Sequence, residues 1–292
     1  MKNINLVRGA RFDVPKQANY IEQGEGYPVI LIHGLAASLH DWDFLLPELA
    51  AAGYHGYALD LLGHGDSPKP ESRSYKTKWV FKHLEQWIDS LALPESPILI
   101  GHSLGGYLAL RYAISHPDHV RALVLTDPFY RLGQLPSILR STYRRASLNA
   151  LVVEHTPEWI FRWIINLTNV ALGRTGGSGL VLSESVRLQT ALDYKRTAPG
   201  AFNIPNTARD LTPNLPHISA PTLVLWGDRD QTLAPNSFPF LTRSLANARG
   251  HEMSGGHVPH QSNSEEYNRL VMGFLKSLTT NPLPSRKSIG TM

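Results

Sequence analysis

Apolar and polar positions along this chain fall into two rhythms, one of period two and one near three and a half. Residues 19–22 alternate and then meet Gly24-Glu25-Gly26, which predicts a strand entering a hairpin turn. Residues 28–32, Pro-Val-Ile-Leu-Ile, form an unbroken apolar run of the kind a strand buried on both faces needs. Helical spacing follows over 42–52 and is closed by Gly53. A short strand is expected at 57–59, and an amphipathic helix at 79–91 with Trp79, Val80, Leu84, Trp87, Ile88 and Leu91 on one side. Another apolar strand at 98–100 runs through Gly101-His102-Ser103-Leu104-Gly105-Gly106 into a helix that reaches His116 and stops at Pro117. Residues 120–125 read as the next strand.

The alternation breaks after Asp127-Pro128. From 128 to 205 the pattern offers helices and no strand, with Thr156 as an N-cap and Pro157 in the first helical position. It resumes with a strand at 221–226, a helix at 235–245, a short strand before Met253 and a last helix at 264–278. Strands alternating with helices predict an α/β fold: a mostly parallel central sheet with helices on both faces. The expected organisation is a core of residues 1–127 and 206–278, a helical cap insertion at 128–205, and a loosely ordered tail at 279–292. No internal repeat is visible.

Composition changes this picture little. The 292 residues are 42% hydrophobic and 18% charged, ordinary for a globular chain with a sizeable core. A net charge of +4 raises nucleic acid as a partner, but no basic run or basic-aromatic motif accompanies it, and none is expected. The absence of cysteine excludes disulfides, thiolate nucleophiles and cysteine metal sites. Lys2 and Arg8 flank no continuous apolar block, and no run of about 18 apolar residues occurs, so neither a secretory signal nor a membrane span is expected. The expected location is cytoplasmic.

The chemistry concentrates at Gly101-x-Ser103-x-Gly105. A serine in a tight strand-to-helix turn is held in a strained conformation with its hydroxyl exposed, and the flanking glycines let strand and helix approach. The turn also leaves the Leu104 amide at a helix N-terminus, aimed where negative charge would develop on an attacked carbonyl. Serine is a weak nucleophile until a base takes its proton, and that base needs a third group to hold its tautomer. In a parallel sheet both partners must come from loops at the strands' C-terminal ends.

Of thirteen histidines, His257 fits best, in the glycine-rich loop Ser254-Gly255-Gly256-His257 before the last helix, with His251 and His260 as competitors. For the acid, Asp230 in Trp226-Gly227-Asp228-Arg229-Asp230 is preferred; Asp228, a turn-former, and Asp127, ending the strand after the nucleophile, remain open. The second oxyanion donor is expected from the Leu35 amide, with His33 and His102 in structural roles. Trp159 and Trp163, within an apolar-rich cap helix, are candidate pocket residues. Arg140, Arg144 and Arg145 read as a solvated face. Gly173-Arg174-Thr175-Gly176-Gly177-Ser178-Gly179 lacks the ending of a phosphate loop and reads as a flexible linker.

Taken in order, His33-Gly34, Gly63-His64-Gly65-Asp66-Ser67, Gly101-His102-Ser103-Leu104-Gly105-Gly106, Trp226-Gly227-Asp228-Arg229-Asp230 and Gly256-His257 resemble the α/β-hydrolase superfamily, particularly its capped esterase-like members. The resemblance spans residues 19 to 278 and implies an eight-stranded sheet with an antiparallel first strand. It implies a cofactor- and metal-independent serine hydrolase acting on small-molecule carboxylic esters. Dehalogenases and epoxide hydrolases of that superfamily carry aspartate where Ser103 stands. Its carbon–carbon bond hydrolases often have tryptophan after the catalytic histidine, where this chain has Val258. Such a hydrolase, a hydroxynitrile-type lyase and a low-turnover ligand sensor are the alternatives on the same scaffold.

Overall fold

The structure is a computed structural model that describes residues 14–72, 74–143, 154–176 and 181–280. Seven strands among these residues form one sheet: β1 (Tyr20–Gln23), β2 (Tyr27–Ile32), β3 (Tyr54–Leu59), β4 (Ile98–His102), β5 (Ala122–Thr126), β6 (Thr222–Gly227) and β7 (Ala248–Met253). Their order is β1-β3-β2-β4-β5-β6-β7, and every pairing is parallel except that of β1 with β3. The eighth strand that the resemblance implies is absent from the described residues, which begin at residue 14.

Period-two side chains divide the core in two. Ile30, Ile32, Leu99, Leu123, Leu125 and Val224 face one side of the sheet, and Val29, Leu31, Ile98, Ile100, Val124 and Leu225 the other. The first face is covered by α2 (Thr77–Ser90), α3 (Leu104–Ser115) and α7 (Ser237–Ser244), the second by α1 (Leu46–Ala51) and α9 (Ser264–Thr280). This is the arrangement that continuous apolar strands require, since neither face can be left to water.

Two local expectations need correction. The chain does not form a hairpin after β1: β3 lies between β1 and β2, and the turn at Gly24–Gly26 crosses the backbone at Gly53 and Tyr54. The helix expected over 42–52 is divided into a 3-10 turn at Leu39–Trp42 and α1, because Pro47 suits the first turn of a helix and cannot donate inside one.

Between β5 and β6 the described chain is helical: α4 (Ser137–Tyr143), α5 (Glu158–Gly176) and α6 (Glu184–Arg196), followed by 3-10 turns at Pro199–Thr207 and Thr212–His217. Helix α5 begins directly after Pro157. Gly173 to Gly176 continue α5 rather than forming a linker, while residues 177–179 of that stretch lie outside the described residues, as do Arg144 and Arg145. Arg196 pairs with Asp66, and Ala198 N–H donates to the Gly63 carbonyl at 2.7 Å, tying the end of this segment to the loop after β3. A short helix, α8 (Pro259–Ser262), precedes α9. Among the described residues no helix is long and apolar enough to cross a membrane.

Candidate active site

Ser103 sits between β4 and α3 with φ 49° and ψ −109°, a region disfavoured for a residue with a side chain. The surroundings hold it there. Its N–H donates to the Thr126 carbonyl at 2.9 Å, and its own carbonyl accepts from Phe129 at 3.0 Å and Tyr107 at 3.1 Å. A Cβ at Gly101 would come within 2.5 Å of the Gly105 carbonyl oxygen, and one at Gly105 would run into the Ile32 carbonyl. The two glycines therefore allow β4, α3 and β2 to converge on the serine.

The Ser103 hydroxyl is 3.0 Å from His257 Nε2, and His257 Nδ1 is 2.8 Å from Asp230 Oδ2. The chain separations are 154 and 27 residues, so only the sheet brings these groups together. Asp230 is buried, and burial alone would raise its pKa. The His257 ring and backbone N–H donors at Thr232 (2.7 Å) and Leu233 (3.0 Å) outweigh that and hold the carboxyl below its ordinary value. Asp230 is thus an acceptor for the Nδ1–H of His257, which leaves Nε2 free to accept from the serine O–H.

The competing residues have other surroundings. Asp127 is buried at φ 41°, accepts from Gly227 N–H at 3.0 Å and makes no contact with His257 in the hydrogen-bond network. Burial and the adjacent Asp230 charge push its pKa well above the ordinary carboxylate range. Asp228 accepts from Gly255 N–H at 3.0 Å and staples the histidine loop to the end of β6. His251 lies on the exposed edge strand β7, facing Glu266. His260 is buried beside Asp41 and His102, and burial takes its pKa down to about 4.

Leu35 and Leu104 follow β2 and Ser103, and their N–H groups have no hydrogen-bond partner among the described residues. The loop carrying Leu35 lies against the nucleophile turn: a Cβ on Gly34 would meet the His102 ring at 2.8 Å and the Ser103 Cβ at 3.5 Å. His33 braces the loop. Its Nε2 accepts from Leu61 N–H at 2.9 Å, so its Nδ1–H donates to the Gly34 carbonyl at 2.6 Å, and burial lowers its pKa in keeping with a neutral ring.

One buried connection has no forerunner in the sequence analysis. Asp41 accepts from Gly34 N–H at 3.1 Å and lies 2.9 Å from His102 Nδ1, while His102 Nε2–H donates to the His257 carbonyl at 2.9 Å. Desolvation acts against the Asp41 charge, but the His102 ring holds its carboxyl well below the usual range. The loop after β2, the nucleophile turn and the histidine loop are thereby joined through one carboxylate and one imidazole. Asp41 carries no sequence signal, because it gains its role only when the 3-10 turn folds it back under the sheet edge.

A mostly apolar cavity of about 500 Å³ opens beside His257 and Val258, lined from the other side by Phe161, Ile164, Ile165 and Tyr194. Trp159 and Trp163 do not line it. They are 67% and 61% exposed and point away from it. Helical geometry gives the reason: positions 161, 164 and 165 share the face of α5 turned to the cavity, and 159 and 163 stack on the opposite one. Among the described residues, two His/Asp groups have the spacing a metal ion could use, Asp41–His102–His260 and Asp127–Asp230–His257. In the first, His102 hydrogen-bonds Asp41 while the His260 ring has no hydrogen-bond partner among those residues; in the second, His257 hydrogen-bonds Asp230.

Comparison with known proteins gives the family of the fold. The model for the alpha/beta hydrolase fold covers residues 27–263. The chain belongs to that family. Among curated relatives it is 31% identical over 270 residues to a pimeloyl-[acyl-carrier protein] methyl ester esterase of Neisseria meningitidis serogroup C, covering 86% of this chain and 94% of that one. It is 28% identical over 285 residues to the abhydrolase domain-containing protein abhd-5.2 of Caenorhabditis elegans, covering 88% of this chain but only 61% of the relative. Among solved structures, a thermophilic esterase from Thermogutta terrifontis superposes with a TM-score of 0.74 at 22% identity, over 89% of this chain and 93% of the other, a likeness of fold.

Proposed function

We propose that this alpha/beta hydrolase cleaves small carboxylic esters through an acyl-enzyme, using Ser103, His257 and Asp230. The observation that carries the reading is the unbroken path from the Ser103 hydroxyl through His257 to Asp230, at 3.0 and 2.8 Å. The Ser103 oxygen attacks the ester carbonyl carbon while its proton passes to His257 Nε2; the carbonyl oxygen becomes an oxyanion held by the Leu35 and Leu104 amides. Collapse expels the alkoxide, which takes the proton from His257. Water, deprotonated by the same nitrogen, then attacks the acyl carbon and returns Ser103 to its starting state. Asp230 keeps the ring in the tautomer this cycle needs. No metal or cofactor enters the proposed reaction. The segment 128–205 acts as a cap, with α5 and α6 walling the apolar cavity in which the acyl or alcohol chain rests. The ester-cleaving name of the meningococcal relative points the same way.

The test is a panel of p-nitrophenyl esters of increasing chain length, run on the wild type and on Ser103→Ala. Turnover is expected from the wild type, with a drop on the order of 10⁴ in the variant. A variant that retains its rate would remove Ser103 from the mechanism.

A further inference from the structure

Helix α5 has two apolar faces where a surface helix ordinarily has one. Its inner face packs through Phe161 against Tyr194, beside Leu35 and Ala36 of the loop after β2. On its outer face Trp159, Trp163 and Leu167 recur every fourth residue, 67%, 61% and 55% exposed. Scattered apolar side chains on a surface are ordinary, but two tryptophans and a leucine stacked on successive turns form a contiguous patch. Ile164 belongs to both faces, lining the cavity while 47% exposed, so the apolar wall of the cavity runs out into the stripe.

Charge is distributed to match. The segment 128–205 holds nine of the chain's 28 lysines and arginines and four of its 24 acidic residues, a net +5. The remaining nineteen basic and twenty acidic residues leave −1 for the rest, so the whole positive balance of the protein resides in the cap. Arg162 stands exposed beside the stripe, on the flank of α5 turned to Glu184 and Arg187 of α6.

We propose that the outer face of α5 docks on an anionic lipid surface. Tryptophan side chains, with an apolar body and one polar N–H, favour the boundary between hydrocarbon and water, and a basic segment is drawn to anionic headgroups. A second copy of this chain would set one +5 segment against another. An acidic protein would satisfy the charge and leave the tryptophans without an apolar bed. With the esterase reading above, on which this half rests, the substrates are acyl esters taken from such a surface, entering the cavity past Ile164.

The experiment is co-sedimentation of the full chain with vesicles of phosphatidylcholine, alone or mixed with equal phosphatidylglycerol, at low and high salt. Trp159→Ser/Trp163→Ser and Arg162→Glu are compared with the wild type. The wild type is expected to pellet with the mixed vesicles at low salt and to be released by high salt. The tryptophan variant should bind about tenfold more weakly, Arg162→Glu should also lose affinity, and both should turn over a soluble short-chain ester within about twofold of wild type. A wild type that stays in solution with anionic vesicles, or a tryptophan variant that binds unchanged, would overturn the proposal. So would a dimer that the tryptophan substitutions dissociate, or binding to polyglutamate as tight as to vesicles. Vesicle binding by a protein that cleaves no ester would support the docking face and count against the esterase reading instead.

Discussion

Two buried aspartates, 127 and 230, stand side by side at the sheet edge, and their surroundings give them opposite states. Asp230 receives two backbone N–H groups and the His257 ring, and is ionised. Asp127 has one such donor, and burial beside an existing charge pushes its pKa well above the ordinary range. Under the proposed mechanism Asp230→Asn should lower kcat by about 10⁴, since the amide would favour the wrong imidazole tautomer. Asp127→Asn keeps both an acceptor for Gly227 N–H and a donor, and should stay within about tenfold of wild type. Steady-state kinetics on a single p-nitrophenyl ester distinguishes them, and equal losses would contradict the assignment. The sequence prefers Asp230 among three aspartates and leaves Asp228 and Asp127 open. The choice depends on a 2.8 Å distance spanning 27 residues, which no local pattern encodes. Asp41 shows the same limit more sharply, as a lone acid in an ordinary loop that acquires its partners only in three dimensions.

At the scale of elements, the strands buried on both faces were the readable ones. β4, β5 and β6 are buried along their whole length and β2 beyond its first residue, each around a short apolar run, and α2 and α9 follow with clear helical spacing. The errors fall where pairing or a single residue decides. β1 is exposed along its whole length and nothing in its pattern says which neighbour it joins. Composition suggests Trp159 and Trp163 for the pocket, but half a turn of helical phase sends them to solvent. Helix α6 makes a sharper contact. Its Asp193 accepts from Gln189 at 2.9 Å and is buried toward Ser38, and burial pushes its pKa up to about 7. A carboxyl whose folded pKa is raised contributes stability that is whole below its unfolded value, about 4, and is lost as pH rises through the folded one. The wild type should therefore lose melting temperature between about pH 4 and 7, relative to Asp193→Asn. Parallel melting curves for the two proteins over that range would show that Asp193 does not titrate there.

The whole molecule assembles its site by topology. A parallel sheet gathers strand ends at one edge, so the turns after β2, β4, β5 and β6 and the loop after β7 meet although they lie far apart in the chain. That much could be read from alternating strands and helices and from a serine between glycines. The cavity and its apolar wall could not, because they depend on how α5 and α6 turn over the edge. The central claim concerns the reactivity of one hydroxyl, and a fluorophosphonate measures it directly. Digestion and peptide mass spectrometry after labelling should place the phosphonyl group on Ser103 of the wild type, with no adduct in Ser103→Ala and labelling at least 100-fold slower, in order of magnitude about 10² or more, in His257→Ala. An unlabelled Ser103 in folded wild type, or a rate indifferent to the loss of His257, would contradict the account.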